Sequence, residues 1–132
     1  MKTKKRTDIV HGCIMDIASR KIGDLHMRVV KTDPPVNFTF LHEALPPGGA
    51  APSVVHSRTT ELVFMVKGTI WGSLAGKKIE LGEGDYLLIP AGVEHKFEAG
   101  ASGGEAVSIF SPPMDLDKPD AKIVFRRKKR GC

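Results

Sequence analysis

The chain has 132 residues, 41% of them apolar and 6% aromatic, with 14 Gly, 9 Pro and 2 Cys, and a formal net charge of +5. That length buries a core without disulfides or a structural metal, so neither a small stapled scaffold nor a multidomain enzyme is expected, and residues 1–132 read as one domain with basic tails. The charge sits in those tails. Lys2, Lys4, Lys5 and Arg6 at one end and Arg126, Arg127, Lys128, Lys129 and Arg130 at the other leave eleven basic against fifteen acidic residues between them, a net of −4. Such tails are solvated more often than they hold a phosphate backbone, and nothing has helix-turn-helix or zinc-finger spacing, so nucleic acid is not an expected partner.

In chain order, residues 13–19 show weak helical character. Runs with β-type composition then follow at 25–31, 36–45, 53–57, 61–67, 69–74, 77–81, 85–89, 95–98, 106–110 and 122–125. Between them stand stops with turn chemistry: Asp33, Pro34 and Pro35; Pro46, Pro47, Gly48 and Gly49; Gly82, Glu83 and Gly84; Pro112 and Pro113. Gly82, Gly84 and Gly92 are expected at turns with positive φ, and the glycine-rich stretch 100–104 reads as a flexible hairpin loop. Short strands at this spacing predict an all-β sandwich or barrel.

One strand carries an anomaly. In the run 61–67, alternation puts Glu61, Val63 and Met65 on one face and Leu62, Phe64 and Val66 on the other. Both faces are apolar apart from Glu61, which predicts a strand buried on both sides. An unpaired buried carboxylate is expensive, so Glu61 is expected at a solvated strand end, against a cation, or on a metal.

Cys13 and Cys132 form no disulfide framework, and the apolar stretch before Cys13 is only Ile9 and Val10, too short for a signal peptide. No window reaches bilayer-spanning length. A soluble, cytoplasmic protein without a membrane partner is the expectation.

From Gly48 the sequence reads G-G-A-A-P-S-V-V-H-S-R-T-T-E-L-V-F-M-V-K-G, and from Gly84 G-D-Y-L-L-I-P-A-G-V-E-H-K-F-E-A. These segments resemble the two signature motifs of the cupin family: Gly48, His56, Glu61 and Gly68 fall on the first, Gly84, Pro90, Gly92 and His95 on the second. The fifteen residues between Gly68 and Gly84 are similar to the short linker of compact microbial cupins. The resemblance implies a single antiparallel β-barrel of jelly-roll type. It also implies a metal set, of which this sequence keeps His56, Glu61 and His95; Val54 stands where the family's first histidine would be, and Ala99 where the second motif has asparagine.

Two imidazoles and one carboxylate suit Fe(II) with open positions, and Mn, Ni, Co or Zn accept the same ligands. Glu61 and Arg58 are the candidate catalytic residues, Arg58 as an anchor for a substrate carboxylate or phosphate. Met65 and Phe97 are expected as pocket walls from their spacing to the ligands, with Phe40 and Ile109 joining them and His42 as a compensating ligand. Trp71 and Tyr86 read as packing or edge residues.

The resemblance allows a metal-dependent dioxygenase, isomerase, decarboxylase or lyase acting on a small organic molecule. The alternative is a metal-free, non-catalytic binding or sensor barrel, with His56 and His95 as hydrogen-bonding residues and Glu61 paired to Arg58 or to a substrate amine. The resemblance further implies a homodimer in which an N-terminal strand such as 25–31 pairs with the partner and covers an exposed edge.

Overall fold

Alternation of buried and exposed side chains runs through most of the chain, and the computed structural model, which describes residues 9–32 and 35–125, is almost entirely β. The basic tails at 2–6 and 126–130, Cys132, and Asp33 and Pro34 of the expected turn lie outside the described residues. A single 3-10 turn, Ile14–Asp16, replaces the helical character expected at 13–19. The strands are β1 (Arg20–Ile22), β2 (Leu25–Val30), β3 (Thr39–Leu45), β4 (Val54–His56), β5 (Thr60–Leu74), β6 (Lys77–Leu81), β7 (Tyr86–Ile89), β8 (His95–Ser111) and β9 (Ala121–Ile123). All described pairings are antiparallel, in the order β1-β2-β3-β8-β4-β9, with β5 joining β6, β7 and β8. The sheet curls on itself as an antiparallel jelly-roll barrel, as the sequence predicts.

Four expected strands are in fact two. The runs 61–67 and 69–74 form the 15-residue β5, and 95–98 and 106–110 are the ends of the 17-residue β8. These long strands pair twice, Thr60–Met65 against Ala106–Ser111 and Ile70–Leu74 against His95–Ala99, and bend together where Gly68 faces Gly104. The stretch 100–104 is therefore ladder and not a hairpin loop. Glycines on both strands serve close approach: Gly68 has φ +77°, and a Cβ there would collide with the carbonyl oxygen of Gly103. Of the three turn glycines, Gly84 and Gly92 have positive φ and Gly82 does not. β1 was not anticipated from its sequence; it forms because the Gly23 turn folds Arg20–Ile22 onto Leu25–Met27.

The core fills one face of the alternation, with Leu25, Leu45, Val63, Met65, Ile70, Leu81 and Ile89 packed together. The opposite face of β5 is a correction to the sequence reading, since Leu62, Phe64 and Val66 are exposed. They continue an apolar outer surface. Phe64 pairs with Tyr86 and Val107, Leu62 with Leu88 and Ile109, and Ile109 with Phe40. Strand β2, expected to pair with a second chain, is used internally against β3 through His26–Val30.

Candidate metal centre

Strand ends bring the polar residues together inside the barrel. His56 closes β4, Glu61 is the second residue of β5, and His95 opens β8. The Pro90–Gly92 turn is tied to the first motif, because Gly92 N–H donates to the His56 carbonyl at 2.7 Å. All three side chains are buried, with Glu61 3% and His95 2% exposed. Glu61 Oε1 lies 3.7 Å from His56 Nε2 and 3.4 Å from His95 Nε2, and the two imidazoles stack with centroids 5.4 Å apart. One ligand atom from each lies within 4.8 Å of the others, the spread a single cation spans.

The outer nitrogens fix what the inner ones carry. His95 Nδ1 is 2.9 Å from the Val93 carbonyl, which only accepts, so in the neutral ring the proton is on Nδ1 and Nε2 is a lone pair. His56 Nδ1 faces the Asp120 carboxylate at 3.4 Å, nearer than the 3.7 Å between Nε2 and Glu61, which favours the same tautomer. Two imidazole lone pairs and a carboxylate oxygen therefore converge on one point. Such an arrangement demands a cation or additional protons. Burial pulls the His95 imidazole down, but its hydrogen bond to Glu61 and the Glu61 charge more than offset this and raise it above its ordinary value.

Two residues that the sequence reading missed complete the polar cluster. Ser108 Oγ sits between Glu43 and Glu61, 3.0 Å from Glu61 Oε2 and in contact with Glu43 Oε1. A hydroxyl has one proton to donate, so it accepts from one carboxyl and donates to the other, and one of the two acids is protonated. Burial, reinforced by the charge of Glu61 and only partly relieved by Ser108, pushes the Glu43 carboxyl up to about 8. The proton therefore sits on Glu43, and Glu61 keeps its charge for the imidazoles. A signal existed in the alternation Leu41, Glu43, Leu45, which places a carboxylate among leucines. Asp120, a third missed residue, had none.

The centre opens on a cavity of about 230 Å³, lined by Glu43, His56, Glu61 and His95 and otherwise mainly by apolar side chains. Phe97 is one wall, as expected, with its ring 5.7 Å from that of His95. Val54 lines it too, paired with His95 across the ladder, so the family's missing histidine is replaced by apolar wall. Met114, Leu116, Pro119 and Ile123 close it from the C-terminal side.

The remaining expected site residues lie elsewhere. Met65 shares the inward face with Glu61 but is core, 1% exposed and not on the cavity. Phe40 and Ile109 pair with each other on the outer face, since alternation turns them away from Leu41 and Ser108, which point in. His42 is mostly buried but does not line the cavity; its Nε2 is 3.6 Å from Glu105, so it does not replace the missing ligand. Arg58 is exposed in the turn after β4 and does not line the cavity; its backbone N–H binds Asp120 at 2.7 Å. The Glu61 carboxylate meets imidazoles and Ser108, which replaces the expected pairing with Arg58. Trp71 carries the Lys78 ammonium over its ring at 5.3 Å, and Tyr86 is exposed on an outer strand.

The chain is 32% identical over 87 residues to germin-like protein 3-7 of Oryza sativa subsp. japonica, covering 61% of this chain and 37% of that protein. It thus spans little more than a third of the length of the curated relatives it matches. Among solved structures, a predicted oxalate decarboxylase from Thermotoga maritima is similar with a TM-score of 0.71 at 18% identity, covering 78% of this chain and 99% of that one. Streptomyces PAC13, solved with uridine, is similar with a TM-score of 0.73 at 14% identity, covering 89% and 92%. A family model described as Cupin domain matches residues 41–111, which hold both motifs, His56, Glu61, His95, Glu43 and Ser108. With more than half of the chain inside that match and the jelly-roll barrel around it, the chain belongs to the cupin family.

Proposed function

We propose that this cupin binds a divalent cation through His56, Glu61 and His95 and acts on a small, largely apolar organic molecule in the adjoining cavity. The observation that carries the reading is the convergence of two imidazole lone pairs and the Glu61 carboxylate on one buried point. A metal-free pocket has to hold extra protons among the same three side chains. The bound cation would supply Lewis acidity toward a substrate oxygen. The chain's own residues supply the rest: Phe97, Phe110 and Leu116 exclude water, and Glu43 holds a proton at the cavity wall. The described lining contains no Lys or Arg, so a carbonyl, hydroxyl or carboxylate of the substrate has the cation as its electrostatic partner. The cavity volume is below the roughly 300 Å³ at which drug-sized sites begin, which favours a small substrate. Decarboxylase, lyase, isomerase and dioxygenase chemistry all fit such a centre, and Fe(II), Mn, Ni and Zn all fit its ligands.

Titration of chelator-treated protein with Fe(II), Mn, Ni and Zn, followed calorimetrically, tests the reading. Stoichiometric binding of one of them, abolished in His56→Ala, is expected. Failure of all four to bind would sink it.

A homodimer and a cytoplasmic setting belong to the same proposal. For the dimer, the support is the outer face, where Leu62, Phe64, Val66, Tyr86 and Leu88 are 37%, 46%, 47%, 74% and 59% exposed. An uncharged face of this kind is self-complementary, as a two-fold contact requires. Its exposed side-chain area, on the order of 500 Å², is a large part of the roughly 800 Å² each partner of a stable pair contributes. For the compartment, the support is Cys13, a free and exposed thiol.

A further inference from the structure

Asp120 lies outside the family-matched span, on the C-terminal segment that returns across the barrel mouth, and is partly buried, its side chain 8% exposed. It is held by an unusually complete set of donors. Oδ2 accepts the backbone N–H groups of Arg58 and Thr59 at 2.7 and 2.8 Å, and the Thr59 hydroxyl reaches the carboxylate at 3.1 Å. The Asp120 carbonyl accepts Ser57 N–H at 3.3 Å, next to the β4–β9 pair of His56 with Ala121. Those contacts fix the four-residue turn that sets the spacing of His56 and Glu61. Oδ1, which the Thr59 hydroxyl also reaches, faces His56 Nδ1 at 3.4 Å.

We propose that Asp120 is the positioning residue of the centre, holding His56 with its proton on Nδ1 so that Nε2 presents a lone pair beside Glu61. The inference rests on the cation reading for its purpose, but the geometry that carries it is independent of any metal. Both ring nitrogens face carboxylates, which only accept, and the nearer one, Asp120 at 3.4 Å against Glu61 at 3.7 Å, takes the single proton of the neutral ring. The two backbone turn contacts use Oδ2 and the ring contact uses Oδ1, with the Thr59 hydroxyl 3.1 Å from both oxygens, so the backbone and ring roles are separable. In Asp120→Asn, the amide oxygen in the Oδ2 position still accepts from Arg58 and Thr59. The amide NH2 then faces Nδ1 and only donates, which inverts the imidazole and puts a proton on Nε2, where a cation must bind.

The test is nitrogen NMR of the histidines in chelator-treated protein, at a pH where the rings are neutral, with Zn2+ titration alongside. Wild-type His56 is expected to show the Nδ1–H form and Asp120→Asn the Nε2–H form, with a Zn2+ affinity reduced about 10- to 100-fold and little change in melting temperature. A wild-type His56 protonated on Nε2 overturns the proposal, and that readout needs no variant to fold. Equal tautomers and equal Zn2+ affinities in the two proteins overturn it as well. A chain that shows the tautomer and its inversion but binds no Zn2+, Mn, Ni or Fe(II) sinks the cation reading and supports the positioning role.

Discussion

Glu43→Gln isolates the shared proton between Glu43 and Glu61. In the native protein Glu43 is protonated up to about 8, whereas in the unfolded chain it follows the ordinary value of 4.5. Between those values the folded state binds one more proton than the unfolded state. The stabilisation is thus fully present below the unfolded value and is lost as pH rises toward the folded one, at about 1.4 kcal/mol per pH unit. Across the window this amounts to a few kcal/mol, with about 5 kcal/mol as the ceiling. In the variant, the Gln amide donates to Ser108 Oγ where the acid proton did, and nothing at that position titrates. His95, also raised, adds stability present at low pH and lost as pH rises through its folded value, but it does so in both proteins and cancels in their difference. Urea denaturation of the chelator-treated pair from about pH 5 to about pH 8 reads the effect. The variant is expected to gain on the wild type steadily with pH and to be the more stable at the upper end. Parallel stability curves would refute the assignment of the proton to Glu43.

Glu61→Gln removes the only charge among the three ligands while keeping its shape, and Zn2+ affinity is expected to fall on the order of a hundredfold or more, measured by calorimetry. Gly68→Ala forces a Cβ against the Gly103 carbonyl at φ +77° and is expected to cost about 3 kcal/mol or more, read from the denaturation midpoint. Phe64→Glu places a charge in the centre of the outer apolar face. Analytical ultracentrifugation is expected to show a dimer for the wild type and a monomer for the variant, with similar melting temperatures; a monomeric wild type rules the dimer out.

The two motifs made His56, Glu61, His95 and the turn glycines Gly84 and Gly92 legible, because fixed spacings in a β-barrel map onto fixed positions of strand ends. Phe97 followed from its two-residue offset to His95 on one face. The same logic failed for Phe40, His42 and Ile109, since alternation names two faces without saying which is inside. The ladder of β3 on β8 decides that, and it turns Leu41 and Ser108 inward. Arg58 failed for a related reason. A residue two places after a ligand points into the site only if the strand continues, and here β4 ends at His56.

By itself the sequence determined an all-β chain, its turns, and a buried carboxylate in need of partners. Local pattern carries that information, because periodicity, turn chemistry and motif spacing are properties of neighbouring residues. Only the tertiary structure decided that β5 and β8 are each one bent strand, since the bend depends on Gly68 meeting Gly104 across the ladder. It also decided the proton inventory of the centre. Ser108 reaches Glu61 and Glu43 across 47 and 65 residues, and Asp120 reaches His56 across 64, contacts that no local pattern encodes. The chemistry of that centre is set by the buried acids.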